Sequence, residues 1–168
     1  MKTTIEQQRA ANALARVQEL NARSDGFKKR YRSYVDRLGP GIVMNGLGQA
    51  LATERAVAGP PPLDPAASTP GDAADKEAHR ELYTSLHQWL CRADGGIYPN
   101  ERDLLSAIVS HGQSEYLHAQ AEALSWLEWH KKCCRAAYPK DERGLTQSTQ
   151  RPSSPHASGA AEGCGEEA

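Results

Sequence analysis

Apolar residues recur at intervals of three and four through most of the first 138 residues, and this spacing constrains the fold more than any other feature. Strand signals are nearly absent, because the chain shows no sustained alternation of apolar and polar residues and little clustering of β-branched residues. The pattern predicts an all-α protein, a small irregular bundle of about six helices. We find no internal repeat with a period of about 20 to 50 residues, which argues against a solenoid.

The front part of the chain, residues 3–57, is predicted to form three helices. Capping-box spacing places the start of the first helix at Thr3 or Thr4, and this helix should run to about residue 22. The second helix should begin at Ser24 or Asp25 and end at the run Gly39-Pro40-Gly41. The third helix should follow this run and end near residue 57.

The third predicted helix carries two glycines in its interior, Gly46 and Gly48, where each costs about 1 kcal/mol relative to alanine. Glycines at these positions would let another backbone approach closely. Asn45 and Gln49 lie four residues apart and would leave a paired amide patch beside that contact. The other reading is a poorly optimised helix packed tightly in its own core, and the residues leave both open.

Prolines, glycines and small residues over 58–75 predict a linker or extended surface loop between the front helices and a rear unit of three helices over 76–138. The rear helices should begin near Lys76, after a cap at Asn100, and near Ser114. Residues 1–138 would together form a single all-α domain. Residues 139–168 contain too few large apolar side chains to compensate for the entropy cost of ordering, and we expect a disordered tail there.

Charge is distributed unevenly along this chain of 168 residues, whose formal net charge is −1. Ten basic and five acidic side chains up to Arg55 give the front part +5, which leaves −6 for the remainder. A basic front opposite an acidic rear would favour head-to-tail association of copies.

Four basic residues of the first helix lie seven positions apart, so they form a slowly drifting line with charges about 10 Å apart along the helix axis. A Lys-Lys-Arg cluster follows in the second helix. Such a surface suits contact with a phosphate backbone without base recognition, although a solvated helix face is the plain alternative. The predicted nucleic-acid-binding residues are Lys2, Arg9, Arg16, Arg23, Lys28, Lys29, Arg30, Arg32 and Arg37.

Catalytic and cofactor signals are weak, and we predict that the chain is not an enzyme and holds no cofactor. His130 and Cys134 have i,i+4 spacing with Cys133 adjacent, which would allow a metal but is more typical of helix packing. Glu122 lies within an apolar helix, where a salt bridge between helices is the more typical role. The other histidines form no recognised ligand or nucleophile pattern.

No stretch approaches the roughly 20 apolar residues of a membrane span, and the first residues do not resemble a signal peptide. The four cysteines fit neither a disulfide framework nor paired zinc knuckles, so reduced thiols are expected. We therefore predict a cytoplasmic protein without membrane contact.

Two stretches carry a family resemblance. The first has Pro40 and Ile42 followed by the run Asn-Gly-Leu-Gly-Gln-Ala-Leu-Ala over residues 45–52. The second is the final helix, with Tyr116, a Glu-Ala-Leu run and a tryptophan-rich end followed by two lysines. Together they resemble the small-subunit family of the type III-B CRISPR effector, the Cmr complex, over residues 3 to about 137.

The resemblance implies a noncatalytic all-α subunit. In such complexes several copies stack head to tail beside the repeated backbone subunit that carries the guide RNA, and together they form a channel for target RNA. The implied partners are the other Cmr subunits, further copies of this chain, and the guide and target RNA. Expected subunit-contact residues are Asn45, Gly46, Gly48, Gln49, Trp129, Lys131 and Lys132.

Two other readings are kept beside this one. A helical adaptor could use the basic face to contact an acidic protein and have no role with RNA. The small subunit of the related type III-A effector would share the role but not the Asn-Gly-Leu signature. Salt-dependent binding of arbitrary single-stranded RNA by the assembly separates the first reading from the adaptor.

Overall fold

The computed structural model describes residues 3–60 and 69–140, and these ranges contain six α-helices and no strand. The helices are α1 (Ile5–Leu20), α2 (Asp25–Asn45), α3 (Leu47–Ala58), α4 (Pro70–Leu90), α5 (Leu104–Ser110) and α6 (Gln113–Ala137). The all-α prediction is confirmed. The predicted tail lies outside the described residues from 141 onward, as does the middle of the predicted linker, residues 61–68.

Local hydrogen bonds begin the first two helices where the sequence predicts. The Thr4 hydroxyl accepts from the Gln7 backbone N–H at 3.2 Å, and the Gln7 side chain accepts from the Thr4 N–H at 2.8 Å. This reciprocal pair is a capping box and satisfies two backbone donors that the helix itself leaves open. Ser24 caps α2 in the same way, accepting from the Phe27 N–H at 3.2 Å.

The prediction that Gly39-Pro40-Gly41 ends the second helix is wrong, because α2 runs through this sequence to Asn45. Neither glycine adopts a positive φ, and Pro40 lies inside the helix. Proline in a helix interior costs about 3 kcal/mol, so packing must compensate. Ile42 supplies part of that packing, since it continues the apolar stripe of α2 and is fully buried.

The break between α2 and α3 lies at Gly46 instead, so Gly46 is a junction and not a helix-interior residue as predicted. Its φ of 82° and ψ of 159° lie in a backbone region that residues with a Cβ rarely adopt. Gln120 of α6 completes the junction by accepting a hydrogen bond from the Leu47 N–H at 3.0 Å. The start of α3 is therefore capped by a side chain from another helix.

Two rear helices begin at other residues than predicted. α4 starts at Pro70, six residues before the predicted start, because Thr69 caps it and proline is favourable in the first turn. α5 starts at Leu104, since Asp103 accepts from the Ser106 N–H at 3.0 Å, whereas the predicted cap Asn100 precedes the helix with a φ of 63°.

Buried side chains from all six helices form one continuous core. α1 packs on α6, α2 packs between α4 and α6, and α3 packs on α4 and α2. Trp89 of α4 and Trp126 of α6 are the largest side chains that are almost completely buried. The front and rear helices therefore share their apolar interior.

A polar cluster lies inside this core. The Tyr31 hydroxyl is 3.1 Å from the Ser85 hydroxyl and 2.8 Å from Nε2 of His130. The His130 ring stacks on Trp126 with 4.4 Å between ring centroids. Burial lowers the pKa of His130 to about 3, so the ring is neutral near pH 7 and acts as a packed hydrogen-bonding group.

We expect Gly46→Ala to lower the free energy of unfolding by about 1–3 kcal/mol, because alanine is strained at this positive φ. The new Cβ would also lie 2.7 Å from the Tyr116 hydroxyl oxygen. Urea denaturation of the variant measures the loss.

The matched control is Gly41→Ala in the interior of α2, where an added Cβ meets nothing within 4 Å. This control should raise the free energy of unfolding by about 0.5–1 kcal/mol, since alanine favours a helix over glycine. Equal effects of the two substitutions would contradict the assignment of Gly46 as the helix junction.

Candidate nucleic-acid and subunit-contact surfaces

The arginines of the predicted basic line on α1 face neighbouring helices. Arg9 pairs with Glu6 and with Glu122 of α6, and its side chain is 13% exposed. Arg16 pairs with Glu19 and with Glu81 of α4 and is 12% exposed. Two residues of the predicted line, Arg9 and Arg16, lie on α1, where they form a seam between helices and not an open charged surface.

Glu122 is the most enclosed carboxylate of this seam. Its Oε1 accepts from Nε of Arg9 and from Nε1 of Trp89, each at 3.0 Å. Burial alone would raise the pKa of Glu122, but the hydrogen bonds and charge of Arg9, with the Trp89 N–H, outweigh burial and lower it. The prediction of an interhelical salt bridge at Glu122 is confirmed.

Arg23 continues the seam along α4. Its two terminal nitrogens donate to Glu77 at 2.6 Å and to Glu81 at 3.1 Å. Glu77 and Glu81 lie one turn apart on α4, so together they meet Arg16 of α1 and Arg23, which follows α1. Lys2, the first residue of the predicted line, lies outside the described residues.

Three of the predicted basic residues at the start of α2 are held by local partners. Lys28 lies 2.9 Å from Asp25 and is 16% exposed. Arg30 donates to the Gly71 carbonyl at 2.6 Å, and Arg32 donates to the Tyr138 carbonyl at 2.6 Å. The hydrogen bonds of Arg30 and Arg32 hold α2 against the first turn of α4 and the end of α6.

Arg37 is exposed on the outer surface of α2, with its guanidinium 4.7 Å from the centre of the Tyr34 ring. It lines a small depression of about 150 Å³ together with Arg32, Ser33, Asp36 and Lys140. Lys29 is half-buried and lies four residues before Ser33 on the same side of the helix. The sequence did not indicate Lys140, because it falls in the predicted tail.

The predicted subunit-contact residues of the Asn-Gly-Leu stretch divide into two groups. Gly46 and Gly48 contact Tyr116 of α6, and Gly48 also lies against Ile108 of α5, so the close approach that they permit is within the chain. Asn45 and Gln49 are exposed beside them. Subunit contact by these residues stays a prediction.

The other predicted contact residues lie on the second half of α6. Trp129 is 37% exposed, and its indole N–H donates to Glu6 of α1 at 2.9 Å. The Lys132 ammonium lies 5.5 Å from the centre of the Trp129 ring, and Lys131 lies 3.9 Å from Glu128. This patch is formed by α1 and α6, whereas the Asn-Gly-Leu stretch meets α5 and the first half of α6.

An apolar groove between α2 and α6 was missed by the sequence reading. Val43 and Met44 at its edge are 70% and 82% exposed. The groove has a volume of about 520 Å³, and Pro40 and Leu124 also line it. The sequence does not indicate this groove, because the predicted turn at Gly39-Pro40-Gly41 ends the second helix before Val43 and Met44.

Among the described residues, no group of three or more histidine, cysteine or acidic side chains is placed to hold a metal ion. Cys134 is buried and Cys133 is partly buried, and burial raises the pKa of both thiols. His130 is engaged with Tyr31 and Trp126. These residues pack the core, in line with the more typical reading of their spacing.

The sequence of this helical chain matches a protein-family model. Residues 5–137 match the model described as CRISPR-associated protein (Cas_Cmr5), which spans all six helices. The chain belongs to this family. It is therefore a CRISPR-associated Cmr subunit, a small subunit of the type III-B effector complex that assembles with other Cmr subunits.

A search of curated protein sequences finds no match to this Cas_Cmr5 family member. Within the described ranges, none of its helices combines the length and the apolar character needed to cross a bilayer.

We expect Glu122→Gln to lower the free energy of unfolding by about 3–5 kcal/mol at pH 7, because it leaves Arg9 charged and without its buried partner. The control is Glu19→Gln, whose carboxylate is 63% exposed in the pair with Arg16. That change should lower the free energy of unfolding by less than about 1 kcal/mol, because exposed ion pairs contribute little to stability. Similar losses of unfolding free energy in the two variants, measured by urea denaturation, would contradict a stabilising buried ion pair between Arg9 and Glu122.

The same pair predicts a pH dependence. The pKa of Glu122 in the folded chain lies below its ordinary value of 4.5. A lowered folded pKa stabilises the protein fully above the unfolded pKa, and that stability is lost as the pH falls through the folded pKa. The stability difference between the unmodified chain and Glu122→Gln should therefore shrink below pH 4.5.

Proposed function

We propose that this chain is a noncatalytic structural subunit of a cytoplasmic type III-B CRISPR effector complex. Copies stack head to tail as a minor filament beside the guide-carrying backbone subunit and hold target RNA by contacts to its phosphates that do not depend on sequence. Family membership supports the place in the complex. The distribution of unneutralised positive charge supports the contact with RNA.

The observation that carries the RNA proposal is the outer surface of α2. Arg32, Arg37 and Lys140 line one depression there, and Lys29 lies on the same side of the helix. The carboxylate in that depression, Asp36, is already paired with Arg135 at 2.9 Å. The surface therefore keeps a net positive charge, which suits contact with a phosphate backbone.

The arginines of α1 have a different role in this proposal. Arg9 and Arg16 already pair with carboxylates of α6 and α4, and a phosphate would have to displace those partners. Desolvated ion pairs with several hydrogen bonds are expensive to break. We therefore assign the principal RNA contacts to Lys29, Arg32 and Arg37, and we assign Arg9 and Arg16 mainly to the fold.

Head-to-tail stacking requires two different surfaces on each copy, because such a contact is heterologous. The chain offers two separate candidates. One is the exposed end of α2, where Val43 and Met44 adjoin Asn45. The other is the patch of Trp129 and Lys132 beside α1.

The test of the RNA contact is Arg37→Glu in the reconstituted complex, with retention of target RNA measured over a range of salt concentrations. We expect several-fold weaker retention, and the slope of log affinity against log salt should fall by about one for each phosphate contact removed. The exposed position of Arg37 predicts that the variant folds normally, with the loss of its contact to Tyr34 worth about 0.5–1 kcal/mol.

The matched control is Lys76→Glu, which makes the same change of charge at an exposed position on α4. It should retain RNA as the unmodified complex does. Equal losses of RNA retention in both variants would show a general effect of net charge and contradict the proposed RNA contact at the α2 surface. Full assembly with unchanged RNA retention in Arg37→Glu would instead favour an adaptor that contacts protein.

A further inference from the structure

A second basic site lies away from the α2 surface, in a groove between the end of α3, the middle of α4 and the segment before α5. Its volume is about 630 Å³, which is within the usual range of small-ligand sites of about 300–1,000 Å³. Three arginines line it, Arg55, Arg80 and Arg102. Tyr83 and His87 also contribute to its wall.

Helical spacing explains why α4 can serve this groove and α1 at once. Arg80, Thr84 and His87 recur at intervals of four and three, so they lie on one face of α4. Glu77 and Glu81 of α4 pair with Arg23, which follows α1, and with Arg16 of α1. Both carboxylates are occupied by these arginines, and neither of them lines the groove.

The carboxylate that does line the groove is fully engaged. Asp103 accepts from Arg55 at 2.8 Å and from the Tyr83 hydroxyl at 2.9 Å, and it also caps α5 through Ser106. Burial opposes ionisation of Asp103, but these hydrogen bonds outweigh it and lower its pKa to about 2. Asp103 therefore orients Arg55, and within residues 3–60 and 69–140 no carboxylate pairs with Arg80 or Arg102.

The arginines retain donors for a ligand. One terminal nitrogen of Arg80 donates to the Ala58 carbonyl at 3.0 Å. This hydrogen bond satisfies a carbonyl at the end of α3. A guanidinium has five N–H donors and stays charged, so the other donors of Arg80 are available. Arg55 is 57% exposed and Arg102 is exposed. The planar fork of arginine matches two oxygens of a phosphate.

We propose that this groove binds a phosphate group, as a phosphomonoester or a backbone phosphodiester, through Arg55, Arg80 and Arg102. Tyr83 and His87 form the wall beside the bound group. The site shares no residue with the α2 surface, so it stands independently of the RNA contacts proposed above.

The test is NMR of the full-length chain labelled with ¹⁵N, titrated separately with inorganic phosphate, adenosine 5′-monophosphate and a short single-stranded RNA. We expect saturable shifts of the backbone amides of Arg55, Arg80, His87 and Arg102 with at least one of these probes. Arg80→Gln combined with Arg102→Gln should weaken that binding at least tenfold. Glutamine at position 80 removes the charge and keeps an amide donor for the Ala58 carbonyl.

The matched control is Lys76→Gln combined with Lys131→Gln, which removes the same charge outside the groove. Strongest binding of the RNA would support a phosphodiester ligand, and strongest binding of the mononucleotide would support a phosphomonoester. Absence of saturable shifts, or equal weakening in the two double variants, would overturn the proposal. Arg37→Glu should leave the shifts unchanged, so failure of the α2 proposal and failure of this one are distinguishable.

Discussion

The pairing of the α1 arginines with carboxylates of α4 and α6 is the interaction on which the helical arrangement depends. α1 buries three apolar residues, Ala13, Val17 and Leu20, and one of them is alanine. So small an apolar face gives limited hydrophobic stabilisation at about 25 cal/mol per Å² of buried apolar surface. The ion pairs of Arg9 and Arg16 fix the position of α1 along its neighbours, and the indole of Trp126 adds a hydrogen bond to Asn12 at 2.9 Å.

This seam also shows what the sequence could and could not reveal about charge. The seven-residue spacing predicts a line of basic residues, and two of them, Arg9 and Arg16, lie on α1. It does not reveal what the line faces, because Glu81 and Glu122 are distant in sequence and reach Arg16 and Arg9 through the fold. The types of residue at the candidate site were therefore predictable, whereas their exposure was not.

The positions where helices begin and end also have local causes in some places and tertiary causes in others. Caps at Thr4 and Ser24 depend on residues three positions away, and the sequence predicts both. The path of the chain from Gly39 to Gly46 depends on distant partners instead. Burial of Ile42 carries α2 past Pro40, and Gln120 and Tyr116 of α6 fix the junction at Gly46. Local propensity was overridden where tertiary contacts were strong.

Internal pairing also changes what the uneven charge along the chain implies for assembly. A basic front and an acidic rear predict attraction between copies if both charges reach the surface. Here Glu77, Glu81 and Glu122 of the rear part are paired with arginines of the front part, so much of the opposite charge is neutralised within each chain. Charge alone is then a weak force for stacking. For the stacking that we propose, shape and exposed apolar surface, as at Val43 and Met44, are better suited to hold copies together than charge is.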